Sequence, residues 1–195
     1  MSESPANTNP LLCIVGMTGA GKSIVAAHLE RRGWRVVHFG ELTMRELKRR
    51  GLPISEVNER SVREELREEH GMDAFARLLL PDIRDALATG PTAVDGLYSW
   101  AEYKFLRENI KNGMYVIAVF SSRRIRYDRL SRRRDRPLTP EEAERRDYAE
   151  IENLEKGGPI AMADYIIINN YSEQEMLDSV DLLVSSQILT ALDCR

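Results

Sequence analysis

The sequence predicts an α/β fold in three layers, a doubly wound sheet of five parallel strands with helices on both faces. Three observations predict it. Short apolar runs rich in Val and Ile recur along the chain, and they are continuous rather than alternating, as strands buried on both faces are. Longer stretches with helical periodicity separate these runs. A glycine-rich segment, IVGMTGAGKS at residues 14–23, joins the first run to the first helical stretch.

The elements follow in order. Leu11–Val15 reads as the first strand. Lys22–Arg32 reads as a helix with Val25, Ala26 and Leu29 on one side, stopped by Gly33. Arg35–Phe39 is the second strand. Residues 41–90 hold about three helices, including Asn58–Glu69 and Met72–Ala88, parted by Gly71. Glu64 to Glu69 reads as a solvated helix face. Thr92–Leu97 is the third strand, Trp100–Lys111 a helix, and Tyr115–Phe120 the fourth strand. Residues 123–158 carry two arginine-rich helices, Arg124–Arg134 and Pro140–Glu155, around a Pro-Leu-Thr-Pro corner. Tyr165–Ile168 is the fifth strand. Glu173–Leu189 closes the chain, with Ser172 as N-cap and Met176, Val180, Leu183 and Ile188 toward the core. The segments 41–90 and 123–158 exceed what a simple crossover needs, and insertions of that size tend to be functional flaps.

Composition narrows the classes. A chain of 195 residues, 43% hydrophobic and 30% charged, fits one globular domain, here residues 10–195 behind a flexible polar tail of residues 1–9. The net charge of −3 gives no field attracting nucleic acid. No apolar run reaches the roughly 18 residues of a membrane span, and MSESPANTNP does not read as a signal peptide. Cys13 and Cys194 read as free thiols of a reducing compartment, so the expected location is cytoplasmic.

Residues Gly16 to Ser23 fit G-x-x-x-x-G-K-S, the phosphate-binding P-loop. Gly16, Gly19 and Gly21, with Thr18 and Ala20 between them, let backbone N–H groups converge on phosphate oxygens without Cβ clashes. The helix that follows turns its positive end toward the same anion. Lys22 is placed to reach the β- and γ-phosphates of ATP, and the Ser23 hydroxyl to ligate Mg²⁺. Asp95, at the end of the third apolar run, is the second expected Mg²⁺ ligand. Gly96 follows it where a water-activating glutamate would stand, which favours transfer to a second substrate over hydrolysis. The Asn-Lys-x-Asp and Asp-x-x-Gly signatures of GTP-binding switches are absent. Ten arginines fall between residues 123 and 146, as a flap closing over phosphates would need. Three histidines, His28, His38 and His70, share no spacing that suggests a metal site. Trp100 and Tyr103 lie just past Asp95, near the expected acceptor cleft, where they pack or stack on a ligand.

Together GMTGAGKS, HFGELTMRELKRRG, AVDG and the arginine flap resemble nucleoside monophosphate kinases. Gly40-Glu41-Leu42-Thr43-Met44-Arg45 resembles the segment opening their acceptor site; the resemblance implies that Gly40, Glu41 and Gly96 line it and that Arg45 holds the acceptor's phosphate. It implies that Arg129 lies on adenine and that Arg133 and Arg146 act on the transferring group beside Lys22 and Asp95. The tail from Ala163 to Ser172 resembles dephospho-coenzyme A kinase. The most extensive resemblance, from Leu11 to Ile188, is to small proteins described as adenylate-kinase-related or dephospho-coenzyme-A-kinase-like.

Two departures stand out. Glu41 replaces the aspartate usual after Gly40, and Leu97-Tyr98-Ser99 lacks the arginine common after the strand Asp-Gly. Arg63, Arg67 and Arg84 are possible substitutes. The fold expected is a P-loop NTPase sheet of order 2-3-1-4-5 with helical acceptor-site and lid insertions. The function expected is an ATP-dependent kinase acting on a nucleoside monophosphate or dephospho-coenzyme A. The alternative is an ATP-binding regulatory or sensing module with slow hydrolysis only. Expected partners are ATP, Mg²⁺ and a small-molecule acceptor, with no membrane and no nucleic acid.

Overall fold

The computed structural model describes residues 9–111, 113–134 and 137–189. The tail at residues 1–8, Arg136 in the lid and Cys194 lie outside the described residues. Asn9, expected in the tail, donates from Nδ2 to the Leu87 carbonyl at 2.8 Å.

Five strands form one parallel sheet: β1 (Leu11–Val15), β2 (Arg35–His38), β3 (Thr92–Asp95), β4 (Met114–Phe120) and β5 (Tyr165–Ile168), in the order β2-β3-β1-β4-β5. The register pairs Ile14 with both Asp95 and Ile117, so β3 ends one residue short of β1 while β4 runs two residues past it. Side chains alternate between two cores. Leu11, Cys13, Val15, Val94 and Val116 pack toward the helices α2 (Phe39–Arg50), α3 (Glu56–His70), α4 (Ala74–Thr89) and α5 (Trp100–Asn109). Leu12, Ile14, Ala93, Ile117 and Val119 pack toward α1 (Lys22–Arg31) and α9 (Glu173–Leu183). Burial on both faces explains why the strands read as continuous apolar runs.

Helix starts follow capping chemistry. Ser99 accepts from the Glu102 N–H at 3.1 Å while the Glu102 carboxylate accepts from the Ser99 N–H at 2.9 Å, a capping box that fixes α5 directly after β3. Thr139 with Glu142, and Pro140 in the first turn, open α7 (Pro140–Glu152) the same way, and Ser172 with Glu175 opens α9. The lid segment also contains α6 (Arg123–Ser131) and the short α8 (Gly157–Ala161).

Boundaries depart from the sequence expectation at several points: the helix expected at Pro140–Glu155 stops at Glu152 and the separate short α8 follows it, and smaller shifts occur at other ends. β2 ends at His38, because Phe39 is the buried first residue of α2 and stacks with Phe75, ring centroids 6.5 Å apart. β3 ends at Asp95, because Gly96 takes a φ of +105° that turns the chain out of the strand. The last helix passes at Val184 into a π-helical stretch ending at Leu189. Among the described residues no helix is long and apolar enough to cross a membrane.

Candidate functional site

The carboxyl ends of β1 and β3 open into a cleft of about 1370 Å³, bounded by the glycine loop, α3 and α7. Such crevices are where open α/β sheets hold ligands. The loop after β1 reaches its shape through glycine. Gly16 has a φ of +142°, and a Cβ there would strike the Val119 carbonyl of β4. Gly21 has a φ of +106°, and a Cβ there would strike the Asn169 amide. As the residue before α1, Gly21 also offers no side-chain cap to the first-turn N–H groups. Donors at a helix start without a cap are an anion-binding arrangement.

Lys22 is the first residue of α1, and its ammonium donates to the Met17 carbonyl at 3.3 Å, folding back over the loop. Burial pulls its pKa down to about 7, with Lys156 acting in the same direction and Glu150 and Asp95 opposing. An arriving polyphosphate would restore the favourable environment that burial removes.

Around the loop sits a cluster of charges from the lid. Glu150, on α7, accepts from the Thr18 N–H at 3.3 Å and from the Thr18 hydroxyl in a short hydrogen bond. The Lys156 ammonium, 1% exposed, donates to the same carboxylate at 2.7 Å. Burial works to raise the pKa of Glu150, yet Lys156, Thr18 and Lys22 hold it at about 2. Burial lowers that of Lys156. On the opposite side of Thr18, Arg126 donates to the Thr18 carbonyl at 3.0 Å and forks onto Asp147 at 2.8 and 2.6 Å. α6 and α7 are thereby fastened to the loop.

Lid arginines come to the cleft as well. Arg129 donates to the Ser121 hydroxyl at 2.9 Å and to the Asn169 side-chain oxygen at 3.1 Å. Asn169 in turn donates to the Ala20 carbonyl at 2.8 Å, so the residue directly after β5 braces both the loop and the arginine. Arg146 and Arg133 line the cleft; Arg146 approaches Glu150 at 3.4 Å. Burial, then the neighbouring Arg146, lowers the pKa of Arg133.

On the other wall, Asp95 reaches the cleft with one carboxylate oxygen 3.3 Å from His38 Nδ1. The Asp95 contact raises the pKa of His38. Ser23 also lines the cleft. A carboxylate and a hydroxyl, both hard oxygen donors, suit Mg²⁺, which keeps most of its waters and needs few protein ligands. No cluster of three His, Cys, Asp or Glu that could hold a metal is present among the described residues.

Thus Thr18, Gly19, Gly21, Lys22, Ser23, Gly40, Asp95, Arg129, Arg133 and Arg146 all line one cleft. Glu41, Arg45 and Gly96 do not line it, and Gly16 and Ala20 support the loop from behind. Arg45 is exposed, tied to Asp82 at 2.6 Å and to Glu41 at 3.5 Å. Of the possible substitutes, Arg63 and Arg67 line the cleft and Arg84 does not. The stretch Glu64 to Glu69 is therefore only partly a solvated face: Leu66 is buried and Arg67 faces the cleft. Trp100 stacks on Tyr103, centroids 4.9 Å apart. Sequence reasoning missed Glu150, Lys156, Arg126 and Asp147. The one available signal was the i, i+4 pair Arg146 and Glu150 on one helix face.

Residues 12–153 match the family described as AAA domain. Solved structures similar to the chain include shikimate kinase from Acinetobacter baumannii in complex with shikimate, TM-score 0.59 at 20% identity, covering 94% of this chain and 97% of that one. A gluconokinase from Sinorhizobium meliloti gives a TM-score of 0.56 at 15% identity, covering 94% of this chain and 98% of that one. Fold and loop thus define a P-loop protein of kinase-like architecture. More particularly, the chain belongs to the UPF0200 family: it is 35% identical over 182 residues to the UPF0200 protein of Thermococcus gammatolerans, covering 91% of this chain and 95% of that protein. It is 36% identical over 179 residues to the UPF0200 protein of Pyrococcus furiosus, covering 90% and 96% respectively. The expected strand order and P-loop fold are shown. The narrower nucleoside monophosphate or dephospho-coenzyme A kinase type is not what these structures show.

Proposed function

We propose that the protein is an ATP-dependent phosphotransferase that passes the γ-phosphoryl group of ATP to an oxygen of a small-molecule acceptor. The observation that carries this reading is one cleft bounded on one side by the uncapped glycine loop with Lys22 and on the other by Arg129, Arg133 and Arg146 from the lid. Phosphoryl transfer asks the protein mainly for positioning and for charge where charge moves. Loop amides and the start of α1 would hold the β- and γ-phosphates. These phosphates would hold Lys22 in its charged form, and its ammonium would neutralise the bridging oxygen. The lid arginines would spread over the migrating group and exclude water. Ser23 and Asp95 would hold Mg²⁺, which neutralises phosphate charge when bound. A nucleotide-like acceptor is favoured by the sequence resemblance; a small hydroxy acid is favoured by the shikimate kinase and gluconokinase neighbours.

The test is coupled ADP release against a panel of nucleoside monophosphates, dephospho-coenzyme A and sugar or cyclic hydroxy acids. One acceptor is expected to raise turnover well above the acceptor-free rate. ATP binding with no acceptor raising turnover contradicts the proposal. That outcome would favour a second reading, an ATP-sensing module. The observation behind it is that the Glu150 carboxylate already rests on the Thr18 N–H, so nucleotide could act by displacing the lid.

A further inference from the structure

Three arginines of α3, Arg60, Arg63 and Arg67, face the cleft from the wall opposite the lid. Two are neutralised on their own helix. Arg60 pairs with Glu64 at 2.7 Å, and Arg63 with Glu56 at 3.2 Å and Glu59 at 3.4 Å. Among the described residues Arg67 has no carboxylate within ion-pair distance, and its Nε is buried without a hydrogen-bond partner. Its guanidinium lies over the Phe75 ring, 4.9 Å from the centroid, and both residues line the cleft.

The carboxyl that acts most strongly on Arg67, that of Glu102, does not complete a pair with it among the described residues. Glu102 is fully buried, and one carboxylate oxygen is used by the Tyr98 and Ser99 N–H groups at 2.8 and 2.9 Å. The other, Oε1, is also buried without a partner. Burial raises the Glu102 pKa to about 7 while the Arg67 charge pulls it back down, and among the described residues the two groups make no ion pair or hydrogen bond. A half-buried guanidinium set over an aromatic ring in the lining of a cavity, with its Nε short of an acceptor, suits an anion.

We propose that Arg67 anchors an oxyanion of the second substrate, a phosphate or carboxylate group, with the Phe75, Met72 and Tyr98 side chains as the apolar wall beside it. This rests on the phosphotransferase reading of the cleft. It moves the acceptor anchor from Arg45, which is exposed and engaged by Asp82, to the next helix. The acceptor is then an anionic molecule rather than a neutral sugar or nucleoside.

The experiment is side-chain ¹⁵N NMR of the arginine Nε–H signals, on full-length protein saturated with a non-hydrolysable ATP analogue and magnesium so that the loop is filled. Inorganic phosphate and acetate are titrated separately, with sodium chloride at matched ionic strength as reference. The Arg67 signal is expected to shift saturably with phosphate or acetate and not with chloride; whichever binds tighter assigns the acceptor's group. Arg67→Gln is expected to weaken that binding at least tenfold, and Arg67→Lys to recover part of it. The proposal is overturned if the analogue binds but neither anion moves Arg67, or if Arg45→Gln rather than Arg67→Gln abolishes the titration. Failure of the analogue to bind overturns the phosphotransferase reading instead, while an Arg67 shift with phosphate in that sample would keep the anion site. The wild-type titration stands whether or not the variants fold.

Discussion

Lys22 shows what a binding loop costs its own fold. Its ammonium is buried among Lys156 and the loop carbonyls, and its pKa falls from 10.5 to about 7. Below pH 7 the lysine is charged in folded and unfolded chains alike, so the full penalty of burying the charge applies. Between 7 and 10.5 the folded chain has released a proton that the unfolded chain still holds, so stability rises with pH across that window. Lys22→Met is therefore expected to stabilise the nucleotide-free protein by on the order of 2 kcal/mol at pH 6, with the gain fading toward pH 10. Urea unfolding across that range checks it; a variant less stable than wild type at pH 6 would contradict it. Lys22 was legible because glycine spacing marks the loop. Lys156 and Glu150 were not. They meet only because the chain bends between α7 and α8, at Glu155 with a φ of +50°, and nothing in ERRDYAEIENLEKGG announces that bend.

At the scale of elements, the lid is held by two buried charge pairs. Arg126 with Asp147 joins α6 to α7, and Glu150 with Lys156 joins α7 to the turn before α8; both reach Thr18. Breaking one partner of a buried pair strands the other charge, at about 3–5 kcal/mol. Glu150→Gln is expected to cost about that much, and the double variant Glu150→Gln with Lys156→Met to recover most of it. Chemical denaturation of the four proteins of this cycle measures it, and additive losses would contradict the coupling. The helices themselves were legible from Ser172, Pro140 and Gly33. The start of α2 at Phe39 was not, since a buried apolar residue closing a strand and one opening a helix look alike in sequence.

Across the whole molecule, the sheet was the most legible feature. Continuous Val and Ile runs specify strands covered on both faces, and the two cores on either side of β1 are the physical counterpart of that pattern. The cleft was half legible. The loop, Asp95 and the lid arginines carry local signals of spacing and density. The wall proposed to hold the acceptor does not: Arg67 sits in a run of acidic residues that reads as solvated, and only the packing of α3 on α4, with Phe75 beside it, turns that arginine inward.

The account depends most on a polyphosphate seated in the loop at residues 16–23. Isothermal titration of ATP with magnesium into wild-type protein and Lys22→Ala tests this directly. Wild type is expected to bind with one-to-one stoichiometry, and Lys22→Ala at least tenfold more weakly with its fold intact by circular dichroism. Equal affinity in the two proteins, or no binding to wild type, would contradict the account.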